Sequence, residues 1–436
     1  MTVASAAAAR RTPSRSLRRI ALVAACPFPS PQGSQVFVGQ MARHLATAGH
    51  EVHLLTYGQG SGLAPDGVVH HRIARLPGDD SSRSGPNLAK PFLDVLLAQR
   101  LARIVRERRI DVVHAHNYEA AVAALAARMI SGAPVVYHSH NLMGDELETY
   151  FAGGVLRRFA AGIGRMLDAQ VPPRADRTIA LCDWSARALV AAGCQAEKIT
   201  VIAPAVEDDG ALPDGATARR ALGIGDGDFV VGYVGNLDTY QNLELLVAAM
   251  SRLIGNAAAR GAGGRPRLLV VTHGGGAPLR PLLAAAGLEA GLEAGLKAGL
   301  KEGQAAIVVE DADFEQVRRA MAASDVLALP RRLGSGYPVK LLNYMSAAKA
   351  VVSAGCGSKV LTDGVDAVVV EDDDAQAFAA ALVALREDPR RRKALGEAAR
   401  RRFLAGMTWQ AVLPRIEAVY DGLREAGGRS GETESQ

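Results

Sequence analysis

Short apolar runs of strand length alternate with longer helical patterns along nearly the whole chain. The first series occupies residues 20–25, 51–56, 112–116, 134–138, 177–181 and 199–202. A strand covered on both faces reads as an unbroken apolar run, whereas a half-solvated one alternates. Strand-length runs alternating with helical patterns predict a parallel sheet covered by helices. Residues 208–215 then gather Asp, Gly and Pro and interrupt it. A second series follows at 229–234, 267–272, 306–309, 326–329, 350–353 and 367–370. A chain of 436 residues exceeds one ordinary core. The economical reading is α/β: two doubly wound, Rossmann-like domains at 18–207 and 223–405, joined by a linker at 208–222. A closing helix at 406–425 that packs back on the first domain, and disordered tails at 1–17 and 426–436, complete the expected organisation. Ligands of such sheets sit at the carboxyl ends of the strands, and here two such ends are expected to face a cleft.

Apolar residues make up 49% of the chain and charged ones 22%, an ordinary globular balance, and the net charge of +5 is modest. Arg10, Arg11, Arg15, Arg18 and Arg19 fall in the first nineteen residues without an acidic neighbour. That tail is read as solvated, with contact to an anionic surface as the alternative. The apolar run at 20–26 is stopped by Pro27 and Pro29 and followed by a helix pattern, so it is read as a core strand and not an export signal. No run reaches the eighteen or more apolar residues of a membrane span. Cys26, Cys182, Cys194 and Cys356 form no Cys-x-x-Cys pair, and reduced thiols in a cytoplasmic protein are expected. Residues 286–301 repeat a four-residue Ala-Gly-Leu-Glu/Lys unit, read as a surface-helix extension without chemistry.

One junction carries a chemical signal. After the apolar run at 326–329 comes Gly334-Ser335-Gly336-Tyr337-Pro338-Val339-Lys340, then a short helix pattern containing Asn343. Pro338 suits a first helical position, and the glycines let backbone approach a bound group. A helix start offers N–H groups to an anion, and Lys340 is expected to add a full positive charge. The turn is therefore a candidate phosphate site; the plain alternative is a strand–helix connection with a solvated lysine.

Read in order, several segments resemble the retaining family-4 glycosyltransferases with the GT-B fold. They are Cys26-Pro-Phe-Pro-Ser-Pro-Gln-Gly33-Ser34-Gln35, the paired histidine segments His114-Ala-His116 and His138-Ser-His140-Asn141, and the stretch from Ala175 through Trp184-Ser185. Gly232-Tyr-Val-Gly235-Asn236-Leu237, Ala323-Ser324-Asp325 and Thr408-Trp409 continue the match, which spans roughly residues 18–425. The resemblance implies transfer of a sugar from a nucleotide-sugar co-substrate, with retained configuration, no metal and no further cofactor. His140 aligns with the family's active-site histidine, although His138 two residues earlier is not cleanly separated from it. The implied donor contacts are Gly33, Ser34, Asn236, Gln241, Arg331, Ser335, Gly336, Tyr337, Pro338, Val339, Lys340 and Asn343, with Arg332 an alternative to Arg331. Gln35 and His116 are the implied acceptor-side residues, and His114 has a core or supporting role.

This sequence departs from the family at four polar positions. Ser335 and Asn343 stand where a Glu-x7-Glu pair is usual, and Asn236 and Gln241 where an Arg and a Lys are usual. Lys340 is a candidate replacement for that lost charge. The leading expectation is a cytoplasmic transferase acting on a glycan or lipid-linked acceptor, optionally peripheral to the membrane, with no nucleic-acid partner. Arg157, Arg158 and Arg165 beside Phe151, Leu156 and Phe159 suit a membrane surface or an ordinary core helix. The competing expectations are a GT-B synthase or phosphorylase, and a catalytically weakened GT-B subunit that supports a partner enzyme.

Overall fold

The computed structural model describes residues 16–30, 33–60, 62–75, 90–151, 153–260, 264–288, 290–294, 304–332 and 336–429. They form two compact units divided between Tyr137 and His138. The first unit contains β1 (Arg19–Ala24), α1 (Gly33–Thr47), β2 (Glu51–Thr56), β3 (Val68–Arg72), α2 (Lys90–Arg108), β4 (Val112–His116) and α3 (Asn117–Ser131). It ends within β5 (Val135–Ser139), and its strands lie in the order β3-β2-β1-β4-β5. β1 pairs in parallel with β2 and β4, Ile20 standing opposite Val52 on one side and Val112 on the other. Ile20 to Ala24 are buried without interruption, as expected for a strand covered on both faces.

The second unit opens with α4 (Met143–Leu147), α5 (Gly154–Gln170), β6 (Arg177–Ala180), α6 (Asp183–Ala191) and β7 (Ile199–Val201), with β6 and β7 parallel. After α7 (Gly215–Ala221) come β8 (Phe229–Val234), α8 (Leu243–Arg260), β9 (Pro266–Val271), α9 (Arg280–Ala285), β10 (Ala290–Ala294), β11 (Ala306–Glu310), α10 (Phe314–Ala323) and β12 (Val326–Leu329). The chain continues through α11 (Lys340–Ser346), β13 (Ala350–Ser353), β14 (Val368–Val369), α12 (Ala375–Glu387), α13 (Pro389–Gly406) and α14 (Trp409–Arg429). The order β10-β11-β9-β8-β12-β13-β14 makes a second doubly wound sheet. Its central strand feeds two cores: Val230 packs on one face, and Phe229, Val231 and Tyr233 pack on the other. α14 buries Trp409, Val412, Ile416 and Tyr420. Arg415 donates to the Val201 carbonyl at 2.6 Å, and Arg177 donates to the Gly422 carbonyl at 3.1 Å, so α14 meets the β6–β7 segment.

One expectation needs correction, and two segments carry helix where none was anticipated. The repeat at 286–301 does not extend a helix: Ala290 to Ala294 form β10, paired in parallel with β11, and residues 295–303 lie outside the described ones. A glycine in every fourth position lowers helix propensity, and the open edge of β11 supplies pairing instead. The segment expected as a linker contains α7, whose first turn is capped where Asp214 accepts the Thr217 N–H at 2.8 Å. The final helix also runs to Arg429, past the expected start of the polar tail. β3 went unanticipated because its sequence, Val-Val-His-His-Arg, is only partly buried and reads as polar.

Candidate functional site

In the second sheet β8 stands between β9 and β12, so the strand order reverses at its edge. Loops leaving the carboxyl ends of the strands on either side of such a reversal part from each other and leave a ligand crevice. The described residues of the loops concerned here are 235–242, 330–332 and 336–339. Two ties fix them. The Val234 N–H donates to the Tyr344 hydroxyl at 2.9 Å, anchoring α11 to the end of β8. Asn242, held in the left-handed region, donates to the Pro330 carbonyl and to Asp373.

Gly235 leaves β8 at φ +141°, and a Cβ there would lie 2.5 Å from Lys340 Nζ. The absent side chain makes room for the lysine nitrogen. Lys340 Nζ donates to Gln241 Oε1 at 2.9 Å and to the Tyr233 hydroxyl oxygen at 2.8 Å. Gln241 in turn donates to Asn236 Oδ1 at 2.6 Å, and Tyr233 donates to the Asn236 carbonyl at 2.6 Å. The lysine is thus linked, directly to Gln241 and through it to Asn236, to both positions at which positive charge was missing from the sequence.

Burial, and then the neighbouring Arg331, lower the Lys340 pKa to about 7. This corrects the expected full charge: near neutrality the desolvated nitrogen is shared between ammonium and amine. Two N–H bonds suffice for its two acceptors, so either form satisfies the cluster. The helix start is also tighter than expected. α11 begins at Lys340, two residues after Pro338, and the Leu341 and Leu342 N–H groups are taken up by the Pro338 and Val339 carbonyls. Side chains, more than backbone dipoles, define the polarity of this site.

The adjacent arginines divide. Arg331 lies over the Tyr240 ring, 5.1 Å from its centroid, and belongs to the Lys340 cluster. Arg332 is held by both carboxylate oxygens of Asp373, at 2.7 and 2.8 Å. Gly336 adopts φ +82°, and a Cβ on it would meet Asn141 Oδ1 at 2.7 Å, so this loop passes close to the segment after β5. Asn141 is oriented by donating to Glu146 at 3.1 Å. Lys359 donates to the Gly336 carbonyl and sits 3.9 Å from the centroid of the Trp184 ring. Tyr337 and Pro338 are buried, Val339 is exposed, and Asn343 is partly buried one turn along α11. Ser335 lies outside the described residues.

His140 follows the last residue of β5, its ring 5.0 Å from that of His138. Burial lowers its pKa to about 4, so it is a neutral imidazole at pH 7. In the first unit, Gly33 and Ser34 are exposed at the start of α1 and Gln35 is buried. His116 ends β4 with no exposed surface, edge-on to Phe37 and stacked 4.6 Å from His114.

Sequence reasoning gave no role to Tyr233, Tyr240, Glu146, Trp184 or Lys359. A tyrosine next to the last position of an apolar strand was the one available signal for Tyr233. The others come together through folding and carry no local signature.

Two doubly wound sheets with a polar cluster at a strand-order reversal are the architecture of a GT-B protein. Residues 31–209 match the model described as Glycosyltransferase Family 4, and residues 228–388 match Glycosyl transferases group 1. The chain belongs to this glycosyltransferase family and is a glycosyltransferase. It is 28% identical to a D-inositol 3-phosphate glycosyltransferase of Geodermatophilus obscurus, across 96% of this chain and 92% of the relative. A protein of the same name from Kribbella flavida is 26% identical, across 93% and 96%. Among solved structures, sucrose-phosphate synthase of Thermosynechococcus elongatus superposes with a TM-score of 0.76 at 18% identity, covering 94% of this chain and 100% of that one. The Anabaena protein HepE in complex with UDP-glucose gives 0.65 at 17% identity, covering 94% and 100%. At such identities these two speak to the fold.

Proposed function

We propose that this chain moves a sugar from a nucleotide-sugar donor to a glycan or lipid-linked acceptor hydroxyl, with retention of configuration and without a metal ion. The observation that carries this reading is the Lys340–Gln241–Asn236 chain with Arg331 beside it. In glycosyl transfer the departing nucleoside diphosphate gains negative charge, and preorganised donors must meet it. A lysine poised near pH 7 can enter as an amine and become fully charged beside the diphosphate. Its charge then grows where the leaving group needs it. His140, neutral at this pH, is a hydrogen-bonding group for the donor sugar and a poor proton donor.

The division into domains at 18–207 and 223–405, with a closing segment at 406–425, belongs to the same reading, as does a cytoplasmic location with optional membrane contact. The supporting-subunit alternative loses ground, because relatives matched along nearly their whole length are named as transferases. Those names favour one second reading for the acceptor, a small phosphorylated cyclitol.

The test is a thermal-shift panel of nucleotide sugars, since a ligand at 100 times its Kd stabilises by about 2.7 kcal/mol. The best donor is then offered to lipid-linked, glycan and inositol-phosphate acceptors in EDTA, and the product anomer is read by NMR. Retained configuration with turnover in EDTA is expected. An inverted product would remove the retaining assignment, and strict need for Mn²⁺ or Mg²⁺ would remove the metal-free one.

A further inference from the structure

We infer that the outer face of α5 docks this protein onto an anionic lipid surface. Val155, Phe159, Ile163 and Met166 follow one another at steps of four, four and three residues, with Leu156 alongside. On a helix they share one face about 100° wide. They are open to solvent: Val155 is 84% exposed, Phe159 68% and Leu156 60%. Large apolar side chains scattered singly on a surface need no explanation, but five on one helical face do.

The opposite side of α5 is pinned, so this face cannot roll inward. Gly164 rests against the backbone of Met143, where a Cβ would collide with the carbonyl. Asp168 accepts the Met143 and Gly144 N–H groups at 2.9 and 2.8 Å and caps α4. Ala160 and Ala161 complete the buried side.

Charge selects the occupant. Arg158 and Arg165 lie along one edge of the apolar face, both exposed, with the Arg165 stem against Gly144 and its charge near Asp145, and the one acidic residue of α5, Asp168, is buried. Anionic headgroups complement them, while the apolar side chains enter the acyl boundary. The inference rests on the membrane option of the proposed function for its purpose only, because its test reads binding and not transfer.

The experiment is co-sedimentation of the full chain with vesicles of phosphatidylcholine alone or with phosphatidylglycerol added. Binding to the anionic vesicles, weakened by salt, is expected. Leu156→Ser with Phe159→Ser should abolish it, and Arg158→Glu with Arg165→Glu should weaken it about tenfold or more. Circular dichroism and the nucleotide-sugar thermal shift confirm that each variant is folded. Equal binding by the Leu156/Phe159 variant overturns the proposal. So does a dimer, seen by ultracentrifugation of the wild type without vesicles, that the same variant dissolves. Loss of transfer activity with vesicle binding intact would count against the proposed function and leave this inference standing.

Discussion

Arg331 and Arg332 are neighbours in sequence and do different work. Arg332 is engaged by Asp373 through two oxygens, whereas Arg331 shares the electrostatic surroundings of Lys340. Lys340→Ala and Arg331→Ala should each lower kcat/KM about 10²-fold, on the order of 3 kcal/mol, while Arg332→Ala stays within a fewfold of wild type. Steady-state kinetics on the three variants decides it; a crippled Arg332→Ala with an active Arg331→Ala would reverse the assignment. The Lys340 pKa near 7 adds a pH test. A diphosphate raises that pKa, so binding above pH 7 takes up a proton, and affinity falls as pH rises through the free-site value. Titration calorimetry of a nucleotide sugar at pH 8, in two buffers of different ionisation enthalpy, should show uptake. Lys340→Arg should abolish it, since guanidinium stays protonated. A buffer-independent enthalpy for the wild type would refute the linkage. The sequence disclosed which residue types gather here, because glycines, a lysine and the family pattern are local. It did not disclose the charge of Lys340 or the partner of Arg332, which depend on burial and on Asp373, forty-one residues away.

At the scale of elements, short strands rich in apolar residues were legible nearly to the residue. β2, β4, β8, β12 and β13 have the expected limits. β3 and β10 were not, because their polar or glycine-rich sequences become strands through pairing with β2 and β11. The α4–α5 pair is set by a contact that composition hides: Gly164 admits the Met143 backbone. Gly164→Ala places a methyl group on that carbonyl. It should cost about 1–3 kcal/mol, the usual range for overpacking, although alanine is the better helix former. Thermal unfolding of the variant measures the balance. An unchanged or higher melting temperature would mean that α5 shifts freely and that its outer face is not held outward.

At the scale of the molecule, two series of buried strands predicted two doubly wound sheets, and repetition made that legible where single segments were ambiguous. A closing helix starting near Thr408-Trp409 was legible from the family pattern, but the partners of α14, remote in sequence, were not. Its buried side is Trp409, Val412, Ile416 and Tyr420; its Arg415 donates to the Val201 carbonyl, and Arg177 of β6 donates to its Gly422 carbonyl. Burying each such side chain contributes about 1.5–3 kcal/mol, an upper figure because unfolded chains already bury some surface. Removal of residues 409–436 should therefore lower stability by on the order of 5 kcal/mol, a large share of what a domain possesses. A chain so truncated can fail to fold, so Ile416→Ala gives the graded measurement, with an expected loss of about 2–5 kcal/mol. Both are read by denaturant unfolding, with limited proteolysis at the β6–β7 segment as a local report. If the truncated chain keeps its melting temperature and β6–β7 its protease resistance, α14 is an appendage and not part of the fold's support.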